Sequence, residues 1–246
     1  MGRGRYPARL EVSPPPPDVA ARYLLIWPGH EIYTRPEDFP PISSPGLFGD
    51  DRPLEIDIGC ATGELACALA AARPEANYLG VDISLKPLYR AVEVAADRGL
   101  PNLRFLQIDM LLAYRHIPAR SLRAAYVHFP APLLRNRQRK QRLISPALLT
   151  HMQRALAPGG TFSFITDQED LSTELLRLLP AAPSLRLRTP AEYEIAFSDL
   201  LKSHYYRRWE AKGRSILRVE LENARAEGNH NRSVSHETGS CNEGAV

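Results

Sequence analysis

At 246 residues, 44% of them hydrophobic, the chain holds enough apolar side chain for one sizeable α/β domain with appended ends, and a second full domain is not expected. A formal net charge of +3 is too small to define a partner, so where the charges fall matters more than their sum. No apolar run approaches the roughly eighteen residues of a membrane span, the N-terminus has no hydrophobic signal core, and Cys60, Cys67 and Cys241 lack metal-ligand spacing; the expectation is a soluble protein in a reducing, cytoplasmic setting.

Residues 1–47 read as a proline-rich, partly disordered leader. Pro14 to Pro17, Pro36, Pro40, Pro41 and Pro45 fix φ and remove backbone donors, which excludes long helices and favours extended chain. The apolar run Tyr23 to Trp27 predicts packing of this leader against a sheet. Its alternative role is that of a basic arm touching nucleic acid through Arg3, Arg5 and Arg9.

The stretch from Leu54 to Asp82 predicts one βαβ unit. A short apolar run ends in Asp57, a turn follows with Gly59, Ala61 and Gly63, then an alanine-rich helix, then a second apolar run ending at Asp82. A turn with so few side chains lets a ligand approach the backbone closely. Asp82 follows the turn by about twenty residues, the interval at which a carboxylate accepts hydrogen bonds from a ribose diol. Dinucleotides and S-adenosylmethionine both use such a unit. An anionic Asp57 beside the turn would repel a pyrophosphate, so the balance favours S-adenosylmethionine.

Beyond Asp82, Leu88, Val92 and Ala95 or Ala96 at helical spacing predict a helix over 85–98, closed by Gly99 and Pro101. Leu103 to Ile108 is a predicted strand leading to Asp109. In a doubly wound sheet, ligands lie beyond the carboxyl ends of the strands, so Asp57, Asp82 and Asp109 are expected to face one crevice. The competing reading is that each Asp caps the element after it.

Leu122 to Phe129 is the fourth predicted strand of this core, stopped by Pro130 and Pro132. Arg135, Arg137, Arg139, Lys140 and Arg142 then place five cations in eight residues with no acid among them, a pattern suited to RNA phosphates. A helix from Pro146 to about Leu156, a strand over 161–165 and a helix through Leu171 to Leu179 follow, with Asp167 at the strand end expected to accept donors of a base. Ser215 to Leu221 alternates weakly like a last strand. Tyr205, Tyr206 and Trp209 beside arginines read equally as base-stacking residues and as core aromatics. From 223 onward the chain is polar and without periodicity, and a disordered tail is expected.

Phe129-Pro-Ala131-Pro-Leu-Leu-Arg135, the basic run to Arg142-Leu143, Asp57-Ile-Gly59, Gly80-Val-Asp82, Asp109, Leu156 to Gly160, Thr166-Asp167 and Ser203 through Gly213 come in an order that resembles the tRNA (guanine-N7)-methyltransferase family, over about 48–221. The resemblance implies a Rossmann-like class I methyltransferase fold: α/β, a mostly parallel central sheet with helices on both faces. It implies methyl transfer from S-adenosylmethionine to N7 of a guanosine at position 46, in the variable loop of tRNA. Cofactor contacts would come from Asp57, Gly59, Gly63, Asp82, Asp109 and the Ala131 position; tRNA would meet Arg135, Arg137, Lys140, Asp167, Ser203 and Tyr206.

Several residues depart from the family pattern. Ala131 stands at the Asp between the prolines, Leu133 and Leu134 replace Trp-Pro, Leu171 replaces Tyr, Tyr206 replaces Glu, Ser203 replaces Thr, and His128 stands where Asn is usual. Two lost carboxylates are two lost acceptors for guanine N–H groups, each worth roughly 1.5–3 kcal/mol. With no catalytic residue assignable at Ala131, two other readings stand beside the first: a non-catalytic RNA-binding protein on a methyltransferase scaffold, and a methyltransferase with a different substrate.

Overall fold

A computed structural model describes residues 11–130, 143–188 and 199–224. The predicted βαβ unit is present as β2 (Leu54–Ile58), α4 (Glu64–Ala72) and β3 (Asn77–Asp82), and α5 (Leu85–Asp97), β4 (Leu103–Gln107) and β5 (Leu122–His128) extend it. Helix α7 (Pro146–Ala155) starts with Pro146 behind a Ser145 cap, whose hydroxyl accepts from the Leu148 amide. It leads into β6 (Leu156–Thr166) and then α8 (Glu169–Leu178).

Strand β6 begins five residues before the predicted start. Leu122 pairs with Leu156 and Ala124 with Thr161, so Ala157–Gly160 bulge out of register. A side chain at Gly160 would press on the carbonyl of Ala157 at 2.8 Å, which explains glycine there.

The leader is more ordered than its prolines suggested. Helices α1 (Pro17–Tyr23), α2 (Glu31–Thr34) and α3 (Ser44–Phe48) fall within it or at its end. Between the first two, β1 (Leu24–Ile26) pairs in parallel with Phe105–Gln107, so the run expected to pack on the sheet is itself an edge strand. The long-helix exclusion holds: these helices have seven, four and five residues.

Among the described residues, eight strands form one sheet in the order β1-β4-β3-β2-β5-β6-β8-β7. The last two are β7 (Leu185–Leu187) and β8 (Leu217–Asn223). Strands β1 to β6 are parallel, whereas β8 runs antiparallel to both β6 and β7. Strand order reverses between β2 and β5, which is where an open α/β sheet leaves a ligand crevice.

Both faces of the sheet are covered. Leu54, Ile56 and Ile58 point into a core with Leu79, Val127 and Met152, whereas Leu65, Leu69, Leu88, Val92, Phe105 and Tyr126 fill the other face. This double burial explains why β2 reads as a continuous buried run. A short helix, α6 (Met110–Ala113), follows β4, and α9 (His204–Glu210) precedes β8. Among the described residues no helix is long and apolar enough to cross a membrane.

Candidate active site

The turn between β2 and α4 has left-handed backbone at three positions: Gly59 (φ 80°), Ala61 (φ 50°) and Gly63 (φ 69°). The Gly59 and Cys60 amides both donate to the Val81 carbonyl, at 2.7 and 3.0 Å, so the turn folds over the end of β3. Asp82 completes the fastening. Its Oδ2 accepts from the Ala61 amide at 2.9 Å and its Oδ1 from the Ser84 amide at 2.7 Å. A carboxylate has about four acceptor sites, so these two bonds leave capacity for a ligand's hydroxyls.

Gly59 and Gly63 serve different ends. No atom lies within 4 Å of a side chain built on Gly59, which leaves the backbone open to a ligand. At Gly63 a methyl group would meet the Ala91 Cβ at 2.7 Å and the Phe105 ring at 2.8 Å, so this glycine permits close packing of helix on sheet.

Asp57 lies on β2 across from Gly80, two residues short of Asp82 along the neighbouring strand. Burial, helped by the nearby Asp82 charge, pushes its carboxyl up to about 7, and burial also raises Asp82. Two acids held so close favour a ligand that brings positive charge. For a carboxyl raised in the folded state, the associated stability is present below its unfolded pKa of 3.8 and is lost as pH rises through about 7. The ligand-free protein is therefore expected to lose stability between about pH 4 and 7, and Asp57→Asn to flatten that slope. Denaturant titrations of both proteins across this range test it; equal slopes would remove Asp57 as the cause.

Asp109 combines placement beyond β4 with the capping role, since its Oδ1 accepts from the Leu111 amide at 3.0 Å and caps α6. The buried Cys60 and Cys67 are not poised nucleophiles, since burial pushes the Cys67 thiol up to about 12 and Cys60 well above the usual thiol range. Among the described residues no group of acids, histidines and cysteines is arranged to hold a metal.

Across the crevice, Phe129 at the end of β5 also has left-handed backbone (φ 50°), an uncommon state for a bulky residue, and its amide donates to Ile165 at 2.7 Å. Its ring lies 6.3 Å from that of Tyr205 and 6.4 Å from that of Tyr206. The Ser203 hydroxyl caps α9 by accepting from the Tyr206 amide at 3.3 Å, and the His204 amide donates to Glu64 Oε2 at 2.8 Å. This last bond ties α9 to the first residue of α4. Glu64 was not singled out from the sequence, because its partner is 140 residues away. Glu64, Leu65, Lys202, Ser203 and Arg207 line a cavity of about 380 Å³ along that junction.

Asp167 meets Arg214 in an ion pair, so its carboxylate is already engaged in the ligand-free protein. His128 is part of a polar chain through the sheet. The Ser163 hydroxyl donates to Glu220 at 2.6 Å, Arg218 donates to the same carboxylate oxygen at 2.7 Å, and His128 Nε2 lies 3.1 Å from Ser163 Oγ. Since the single Ser163 proton goes to Glu220, His128 Nε2 must be the donor and Nδ1 the unprotonated nitrogen. Burial, with Arg218 nearby, lowers the imidazole to about 3 and keeps it neutral. Ala131, Arg135, Arg137 and Lys140 lie outside the described residues.

A mostly parallel sheet with a reversal point and an acid-led glycine turn clipped to Asp82 define the class. The chain is a class I S-adenosylmethionine-dependent methyltransferase, and residues 51–219 match a family model described as "Putative methyltransferase". A tRNA (guanine-N(7)-)-methyltransferase of Chloroflexus aurantiacus is 52% identical over 222 residues, covering 90% of this chain and 98% of that protein. The proteins of that name from Chloroflexus aggregans and Rubrobacter xylanophilus are 51% and 43% identical, over 90% and 87% of this chain and 98% and 96% of their own lengths. The chain belongs to the tRNA (guanine-N(7)-)-methyltransferase family.

Proposed function

We propose that this protein transfers a methyl group from S-adenosylmethionine to N7 of a guanosine in tRNA, at variable-loop position 46, in the cytoplasm. The observation that carries this reading is the near-complete alignment with relatives of that name, which spans the turn, the strand-end acids and α9 alike. The methyltransferase domain is assigned to 48–222, with the leader before it adding β1 to the edge of its sheet, and a polar tail after it.

The residues present fit the cofactor. Gly59 leaves open backbone, Asp82 keeps acceptor capacity at the strand end, and the Asp57–Asp82 pair favours a cationic ligand. When bound, S-adenosylmethionine supplies an electrophilic methyl group on a sulfonium. Asp82 would accept from the ribose diol, Asp57 would offer negative charge to the cationic end, and Asp109 would serve the base side.

Guanine N7 carries a lone pair at neutral pH, so no side chain has to remove a proton before attack. Catalysis then rests on in-line positioning and on exclusion of water. Phe129, Tyr205 and Tyr206 form an aromatic wall at the right end of β5 for holding a flat base. Ser203, Tyr206 and Asp167, together with Arg135, Arg137 and Lys140, are assigned to the tRNA side, and the Ala131 position to the cofactor side. Here the wall stands where the family's Tyr206-position carboxylate would, so base holding shifts from hydrogen bonding toward stacking.

Labelled S-adenosylmethionine incubated with unmodified tRNA, followed by nucleoside analysis, tests the proposal. Label in 7-methylguanosine is the expected result. Cofactor binding without any labelled nucleoside would favour an RNA-binding protein on this scaffold, and label elsewhere a different substrate.

A further inference from the structure

Trp209 lies in an unusual setting. Arg214 places its guanidinium carbon 4.0 Å from the ring centroid, the Lys212 ammonium lies 4.9 Å away and the Arg208 guanidinium 5.4 Å away. Residues 202–214 hold Lys202, Arg207, Arg208, Lys212 and Arg214 against Glu210 as the one acid, so this short segment has a net charge of +4 in a chain whose total is +3. Three cations drawn to one indole repel each other, and the ring quadrupole offsets part of that repulsion.

The ring is therefore neither a core aromatic nor a bare platform for a base. It is half-buried beneath charged side chains, on an element with no buried residue. A guanidinium stacked through its face still presents its N–H edge to acceptors in its plane. Arg214 spends part of that edge on Asp167, which anchors the cluster to the end of β6. Arg208 and Lys212 lie on the same ring, and among the described residues neither pairs with a carboxylate.

We propose that Trp209 is an organiser of cations, and that Arg208, Lys212 and Arg214 ordered around it form a docking surface for the phosphate backbone of the RNA beside the target nucleotide. The inference rests on the tRNA reading above. Its position suits the task, because Ser203 at the start of α9 is tied to the cofactor turn through His204 and Glu64, and seven helical residues carry the chain only about 10 Å from there. Long cationic side chains that are ordered beforehand lose less freedom when they grip an anion. A polyanion passing over the crevice mouth would meet them one helix length from the reacting base.

The test compares the full chain with Arg208→Gln/Lys212→Gln and Trp209→Leu, measuring affinity for unmodified tRNA at several salt concentrations alongside S-adenosylmethionine affinity. Each cation lost from a phosphate contact is expected to flatten the slope of log affinity against log salt by about 0.7–0.9, so the double variant should lose roughly 1.5. Trp209→Leu keeps every cation, and is expected to weaken tRNA binding about tenfold with cofactor affinity unchanged. Unchanged tRNA affinity and slope in both variants, with the parent still methylating tRNA, would overturn the docking surface alone. A parent that binds no tRNA would overturn both this surface and the functional reading. If Trp209→Leu also loses cofactor affinity, the ring supports the fold, and the organiser role is overturned unless Trp209→Phe, which keeps an aromatic face, restores tRNA binding.

Discussion

Gly63→Ala is expected to destabilise the protein by about 2–5 kcal/mol, the sum of a left-handed backbone penalty for a residue with a Cβ and the cost of overpacking. The clash is with atoms that have no room to yield. Ala91 belongs to α5 and Phe105 to β4, both wholly buried, and the new methyl group would be 2.7 Å from the first and 2.8 Å from the second. Gly59→Ala makes the informative contrast. Its φ of 80° carries the same backbone penalty but nothing lies within 4 Å, so its stability loss should be smaller, about 1–2 kcal/mol. Its methyl group would instead occupy the space left for a ligand and weaken cofactor binding. Denaturant unfolding and cofactor titration on both variants separate the two roles; a stability loss at Gly59 equal to that at Gly63 would contradict the assignment.

Asp82→Ala is expected to lower S-adenosylmethionine affinity about a hundredfold or more. Two effects combine: the ribose diol loses a charged acceptor, worth about 1.5–3 kcal/mol, and the turn loses the bond that holds the Ala61 amide. That amide belongs to a non-glycine residue at φ 50°, a conformation maintained only because its surroundings over-determine it. Ala61→Gly in the same background should therefore recover part of the lost affinity by relieving the strain. Isothermal titration of the single and double variants checks this, and wild-type affinity in Asp82→Ala would remove the acid from the cofactor site.

Much of the fold could be read from the sequence because its signals are local. Asp57, Gly59, Gly63 and Asp82 lie on one βαβ unit, where apolar runs, glycine spacing and strand-end acids all fall within thirty residues. Leu24–Ile26 was expected against the sheet but not within it, since three residues are too few to show an alternation. The short β7 gave no signal for the same reason.

The site was less legible wherever its parts meet across long separations. Asp167 reads as an acceptor for a base from its place at a strand end, and its ion pair with Arg214, 47 residues on, has no sign in the sequence. Tyr206 registered as a missing carboxylate, and only the folded chain brings its ring against Phe129. His128 looked like a lone strand-end histidine, and its proton is fixed by Ser163 and Glu220, which enter from two other strands. Trp209 was balanced between base stacking and core packing, and its three cations hold it to neither.

The most direct test of the central claim pairs two otherwise identical tRNA transcripts, one with guanosine at position 46 and one with 7-deazaguanosine, which replaces the N7 lone pair by a C–H group. Transfer of labelled methyl to the first and none to the second is the predicted result. Equal labelling of both would contradict N7 as the acceptor, and labelling of neither, with cofactor bound, would contradict the proposed activity.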